Sequence, residues 1–184
     1  MNKTLWIVLA FVAVIAVSIF SGYNNLVSMN ENVNGKWSQI ENQLQRRADL
    51  IPNLVNTVKG YASHEQQAIQ AVADARAKLG GAQGPVAKAE ANNELSSALS
   101  RLLVISENYP NLKADKNFRA LMDELSGTEN RLAVARKDYN ESVQAYNTAI
   151  RSLPASIIAG PMGFTSKEYF KADEASKQVP QVKF

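Results

Sequence analysis

Residues 33–61 read VNGKWSQIENQLQRRADLIPNLVNTVKGY and continue as ASHEQQAIQAVADARAKL over residues 62–79. Within them Val33, Trp37, Ile40, Leu44, Arg47, Ile51, Leu54, Val58, Tyr61, Glu65, Ala68, Val72, Ala75 and Leu79 recur in alternating steps of four and three. That rhythm places one stripe of a helix against partner helices in left-handed packing. Only Arg47 and Glu65 break its apolar character. Gly80-Gly81 and Gly84-Pro85 then supply a stop. Pro52 lies inside the pattern and lacks a backbone N–H, so a kink near residues 48–52 is expected there, not an end. The pattern predicts one long helix over about 25–80.

Upstream of this seam, residues 5–20 (LWIVLAFVAVIAVSIF) are apolar apart from Ser18, and Thr4, Ser21 and Gly22 extend the stretch without a charge. A spanning helix needs about 20 mostly apolar residues, so residues 4–23 are expected to anchor the chain in a lipid bilayer, with residues 1–3 as a short flank. Trp6 and Tyr23 stand where interfacial aromatics are found. The exit SIFSGYNN lacks a convincing small-x-small cleavage site, which favours an uncleaved anchor over a signal peptide. Lys3 precedes the span and the next positive charge is Lys36. The positive-inside rule therefore points to N-in, C-out, with the helical region beyond the span on the extracytoplasmic side.

Downstream, Pro85 suits a first helical turn, and Leu95, Leu99, Leu102 and Ile105 mark a second helix over about 85–108, closed by Asn108-Tyr109-Pro110. A third, over about 115–153, carries Phe118, Leu121, Leu125, Thr128, Leu132, Ala135, Tyr139, Tyr146 and Ile150 on its seam. Asp115 is its expected N-cap and Pro154 closes its far end. Short connections impose antiparallel neighbours. The expected fold is all-α: an N-terminal transmembrane helix, then a bundle over 24–154 with three main helices running up, down and up. Residues 155–184 change character, with Gly160-Pro161, Gly163, Tyr169-Phe170 and the closing VPQVKF. They are expected to form a tail that packs on the bundle and ends extended.

Composition narrows the chemistry. Of 184 residues, 46% are hydrophobic and 20% charged, and the net charge is +3 with basic residues scattered along the chain. No basic arm or run suggests nucleic acid. The chain has no cysteine, which removes disulfides, thiolate metal sites and thiol nucleophiles. His64 is the single histidine. His64-Glu65 could open an HExxH zinc motif, but Ala68 stands where the second histidine would be. No GxSxG turn is present, and GGAQGP near residue 80 is a helix connector, not a phosphate loop. The reading is non-enzymatic, with no cofactor.

Two polar clusters invite interpretation: Arg46, Arg47 and Asp49 on the first helix, and Glu129, Asn130, Arg131, Arg136 and Asp138 on the third. Arg47 occupies a seam position, where a guanidinium demands a carboxylate or several carbonyls. Glu129, beside the seam residue Thr128, is its expected partner. A pair that fixes helix register is the favoured role, ahead of ligand binding.

Several runs resemble the LemA family: Tyr23-Asn24 with Leu26-Val27; Trp37-Ser38-Gln39-Ile40; LQRRADLIPNLV over 44–55; and Val58-Lys59-Gly60-Tyr61 with His64-Glu65. Further matches are Ala75-Arg76, Glu107-Asn108-Tyr109-Pro110, Leu112-Lys113, Glu129-Asn130-Arg131, Ala135-Arg136 and Asp138-Tyr139-Asn140. Near the end come Pro154, Ala159-Gly160 and Gly163-Phe164. The resemblance covers nearly the whole chain. It implies a membrane helix followed by an antiparallel bundle, and no enzymatic activity. Some relatives are associated with building magnetosome membranes. The expected role is a membrane-anchored scaffold of the bacterial cell envelope, single-pass in the inner membrane and acting as a homo-oligomer. The alternative is an adaptor that presents a bundle face or its tail to another envelope protein.

Overall fold

Fifty-nine consecutive residues, Lys3–Tyr61, form α1 in the computed structural model, which describes residues 3–171. The remaining elements are α2 (Gln66–Gly81), α3 (Gly84–Ser106), α4 (Pro110–Ala114), α5 (Lys116–Ala149) and α6 (Ala155–Ala159). Among the described residues there is no strand. The chain divides into two compact units, one of residues 3–38 with 138–168 and one of 39–137 with 169–171. Both α1 and α5 contribute a stretch to each.

In the second unit, the part of α1 from residue 39 packs with α2, α3 and the first part of α5. Arg46 of α1 bonds to Glu124 of α5, and Tyr61 to Asp115, so rising positions on one helix meet falling positions on the other. Arg76 of α2 reaches Ala48 of α1, and Lys78 pairs with Glu94 of α3, which sets each consecutive pair antiparallel. The four helices alternate in direction. Ile40, Leu44, Ile51, Leu54 and Val58 from α1 fill the core with Leu95 and Leu102 of α3 and Leu125 and Leu132 of α5, each at most 3% exposed.

The helix expected over 25–80 is therefore two helices. The chain breaks at 62–65 and folds back. Ala62 stays buried while Ser63 and His64 face solvent, and the Tyr109 hydroxyl donates to the Glu65 carboxylate at 2.9 Å across the turn. The driving force is burial. A straight continuation would carry the apolar stripe of residues 62–79 beyond its neighbours, whereas reversal buries Ile69, Val72, Ala75 and Leu79. Gly84, at φ +76°, takes a left-handed conformation that opens α3. Asp115 caps α5 by accepting the Phe118 N–H at 2.9 Å. That bond, with the Tyr61 hydroxyl, holds the Asp115 carboxyl below its usual range.

The first unit sets the earlier part of α1 beside the end of α5. Lys36 pairs with Asp138 at 3.1 Å, and the Trp37 and Tyr139 rings lie 5.4 Å apart. The tail docks here through backbone bonds. Asn147 donates to the Lys167 carbonyl and accepts its N–H, both at 2.8 Å, and the Tyr139 hydroxyl donates to the Glu168 carbonyl at 2.8 Å. The segment VPQVKF lies outside the described residues. Near its N-terminus α1 is long and apolar enough to cross a membrane, and that stretch is not buried by the protein.

Candidate functional site

The most constrained polar group in the four-helix unit is Arg47. The heptad phase of α1 turns it inward between Leu44 and Ile51, and its side chain is only 5% exposed. Its Nη1 donates to the Asn92 Oδ1 at 2.6 Å and forms an ion pair with the Glu129 carboxylate. Asn92 is itself fully buried, whereas Glu129 is 40% exposed along its side chain. Burial lowers the Arg47 pKa from its ordinary value, and the Glu129 charge opposes that shift. Arginine nevertheless remains a cation. Arg47 Nε and Asn92 Nδ2 find no acceptor on the protein.

One side chain from each of α1, α3 and α5 thus meets at one level. Sliding any of these helices by a turn would strand a buried cation, at a cost of several kcal/mol, roughly 3–5 when a partner is removed outright. The geometry suits register selection. Beside it, between α3 and α5, lies a groove of about 450 Å³, lined by Arg47, Glu129 and Asn130 together with Ser96, Ser100 and Ser126 and the apolar Leu99, Leu103, Met122 and Leu125.

The other candidate residues disperse. Arg46 and Arg131 both bond to one oxygen of Glu124, at 2.9 and 2.8 Å, on an exposed face, and Arg131 also reaches Gln43. Asp49 accepts from Gln45 one turn earlier. Asn130 is exposed at the groove. The Arg136 guanidinium sits 4.9 Å over the Phe170 ring, a cation–π contact. Asp138 belongs to the other unit, with Lys36. Among the described residues, no group of three or more His, Cys, Asp or Glu side chains gathers as a metal site.

Sequence reasoning missed Asn92, Glu124 and Gln43. Asn92 had a readable signal: it precedes Leu95, Leu99 and Leu102 in the same three-four-three rhythm, and so occupies a core position of α3. Glu124 stands two turns before Arg131 on α5, on the same face.

Comparison with known proteins finds relatives over most of the chain. The model of the LemA family matches residues 36–184. Magnetosome protein MamQ 2 of Paramagnetospirillum magneticum is 29% identical over 194 residues, covering 91% of this chain and 71% of its own length. Magnetosome protein MamQ of Magnetospirillum gryphiswaldense is 30% identical over 189 residues, covering 89% of this chain and 69% of its own. Protein LemA of Metamycoplasma hominis is 21% identical over 161 residues, with 86% and 74% covered.

Proposed function

The chain belongs to the LemA family, and from that premise we propose that it is a non-enzymatic, membrane-anchored helical scaffold of the bacterial cell envelope that works by self-assembly. The observation that carries this reading is α1 itself. One unbroken helix, Lys3–Tyr61, contains both the apolar stretch of residues 5–20 and the bundle seam beyond it. Such a helix joins an anchor to a bundle with no irregular linker in between. Relatives named as magnetosome proteins support a role tied to an organised cellular structure.

Self-assembly draws its support from surface chemistry. The α1 seam is covered by its neighbours within the four-helix unit, so it is not the contact. Among the described residues of this unit, Leu103 and Val104 on α3, 45% and 71% exposed, and Val134 on α5, 62% exposed, are the large aliphatic side chains left outside. A common bilayer holds copies parallel and raises their effective concentration, so weak lateral contacts suffice. The setting is the inner membrane, single-pass, with the bundle on the periplasmic side, as the Lys3 and Lys36 flanks favour.

Cross-linking of the full-length protein in native membranes, across a range of expression levels, tests the proposal. Oligomer ladders that persist at low expression are expected. A monomer at low expression that instead cross-links to another envelope protein through Leu103 and Val104 would replace the scaffold with the adaptor reading.

A further inference from the structure

Beyond the end of α5, the chain carries no charged side chain from Ser152 to Ser166. Three of its large apolar side chains are bare: Leu153 is 78% exposed, Ile157 68% and Met162 54%. The same segment turns its other face to α1. Ile158 and Ala159 are buried with Leu26, and the Tyr23 and Phe164 rings meet edge to face at 5.7 Å. Gly22 permits the close approach, since a Cβ there would come within 3.3 Å of the Ile158 Cδ1.

The part of α1 beside this segment is the end of the apolar stretch. A cleft of about 360 Å³ opens between them, walled by Val14, Ile15, Ile19, Gly22, Pro154 and Ile157. Ser18 contributes the one side-chain hydroxyl in the lining, and it already donates to the Val14 carbonyl at 2.8 Å. The cleft therefore offers a polar ligand no free side-chain donor. It fits hydrocarbon.

Much of the segment's backbone is paired within itself, which suits a low dielectric, where each unpaired N–H would cost several kcal/mol. Pro154 and Pro161 have no N–H to satisfy. The N–H groups of Ser156, Ile157, Met162, Gly163 and Phe164 each bond to a carbonyl within the segment, at 2.9–3.2 Å. Gly163, at φ +79°, makes the turn that brings the chain out again. Arg151 and Lys167 bracket the uncharged run, placed to remain at the headgroups while the residues between them enter.

We propose that residues 153–162 are a second membrane-embedded element, which enters one leaflet beside the end of the α1 span and seats a phospholipid acyl chain in the cleft between them. This rests on the reading of residues 4–23 as a membrane anchor. The structural reason is continuity: one wall of the cleft is the span, so the bare Leu153, Ile157 and Met162 extend the surface that the bilayer already covers.

The chain has no native cysteine, so single-cysteine variants report position directly. Full-length Val17→Cys, Ile157→Cys, Leu153→Cys and Ser63→Cys, each carrying a polarity-sensitive fluorophore, are reconstituted into phosphatidylcholine–phosphatidylglycerol vesicles. A fraction of the phospholipid carries a nitroxide on its acyl chain. The expected result is loss of most fluorescence at positions 17, 153 and 157, with position 63, exposed in the α1–α2 turn, unaffected. Two positions on the bare face guard against local disruption by either label. If positions 153 and 157 behave like 63 while 17 is quenched, the anchor stands and the embedded segment is overturned. If position 17 also escapes quenching, the anchor reading fails and the embedded segment with it.

Discussion

Arg76 Nε donates to the Ala48 carbonyl oxygen at 2.8 Å, and Ala48 stands four residues before Pro52. In an α-helix the carbonyl of residue 48 accepts from the N–H of residue 52. Proline has none. The oxygen that Pro52 orphans inside α1 is thus satisfied from α2, by a side chain that arrives only because the chain reverses at 62–65. This relationship explains how a proline sits within a 59-residue helix without ending it.

It predicts coupling. Arg76→Met should destabilise the protein by about 1–3 kcal/mol, since a partly buried acceptor loses its donor. In a Pro52→Ala background the helix supplies its own N–H, and the same substitution should cost clearly less. Urea denaturation of the full chain in detergent measures all four corners of the cycle. Equal costs in both backgrounds would show that Arg76 does not serve the freed carbonyl.

The Arg47 pair predicts an asymmetry. Glu129→Gln leaves a buried cation without a counterion and should destabilise by roughly 3–5 kcal/mol. Arg47→Met leaves Glu129, whose oxygen facing Arg47 is buried but whose side chain is 40% exposed, so the carboxylate can turn out to water. Its cost should be smaller, about 1–3 kcal/mol, set mostly by the abandoned Asn92. Replacing both by methionine should recover much of the loss, because well-packed apolar groups often equal or exceed a buried pair. Denaturation of the three variants decides the order; an Arg47→Met penalty larger than that of Glu129→Gln would contradict it.

Alkaline titration should find Tyr139 resistant. Burial, aided by the Glu168 charge, pushes its phenol up to about 12. The unfolded value is about 10, so the folded state binds the proton more tightly. The stabilisation is complete below about pH 10 and is lost as pH rises through the folded value. Tyrosinate absorbance near 295 nm in native protein, compared with Tyr139→Phe, should show one fewer late-ionising phenol in the variant. Stability of the variant should also decline less between pH 10 and 12.

Asn147→Ala should release the tail. Both of its bonds to Lys167 would be lost while the core of the four-helix unit keeps its packing. Faster tryptic cleavage after Lys167, with the denaturation midpoint shifted far less than by Glu129→Gln, is the expected outcome. An unchanged cleavage rate would assign the docking to Tyr139 and Phe170 instead.

The seam of α1 was legible because its period is local. Ile40, Leu44, Ile51, Leu54 and Val58 could be assigned to a core from spacing alone, and so could Phe118, Leu125, Leu132 and Tyr139 on α5. The same rhythm carried on through Tyr61, Glu65 and Ala68, so it concealed the reversal. Heptad phase is compatible with one continuous helix or with two helices folded together. No glycine pair or proline marks residues 62–65. At the polar cluster, Arg47 declared itself as a charge in an apolar row. Its partner Asn92 did not, being a neutral residue on a helix whose facing side depends on the reversal.

The amino-acid sequence by itself determined the apolar stretch of residues 5–20, the helical class, the seams of α1 and α5 and the cap at Asp115, because each depends on neighbours a few residues apart. The tertiary structure decided where the first helix ends, which oxygen Arg76 serves, that Arg47 meets Asn92, and that Ile157 and Leu153 stand bare beside the span. These are relationships between residues tens of positions apart. Which of them forms is settled by the total apolar surface buried and the polar groups left to satisfy, and local periodicity carries neither quantity.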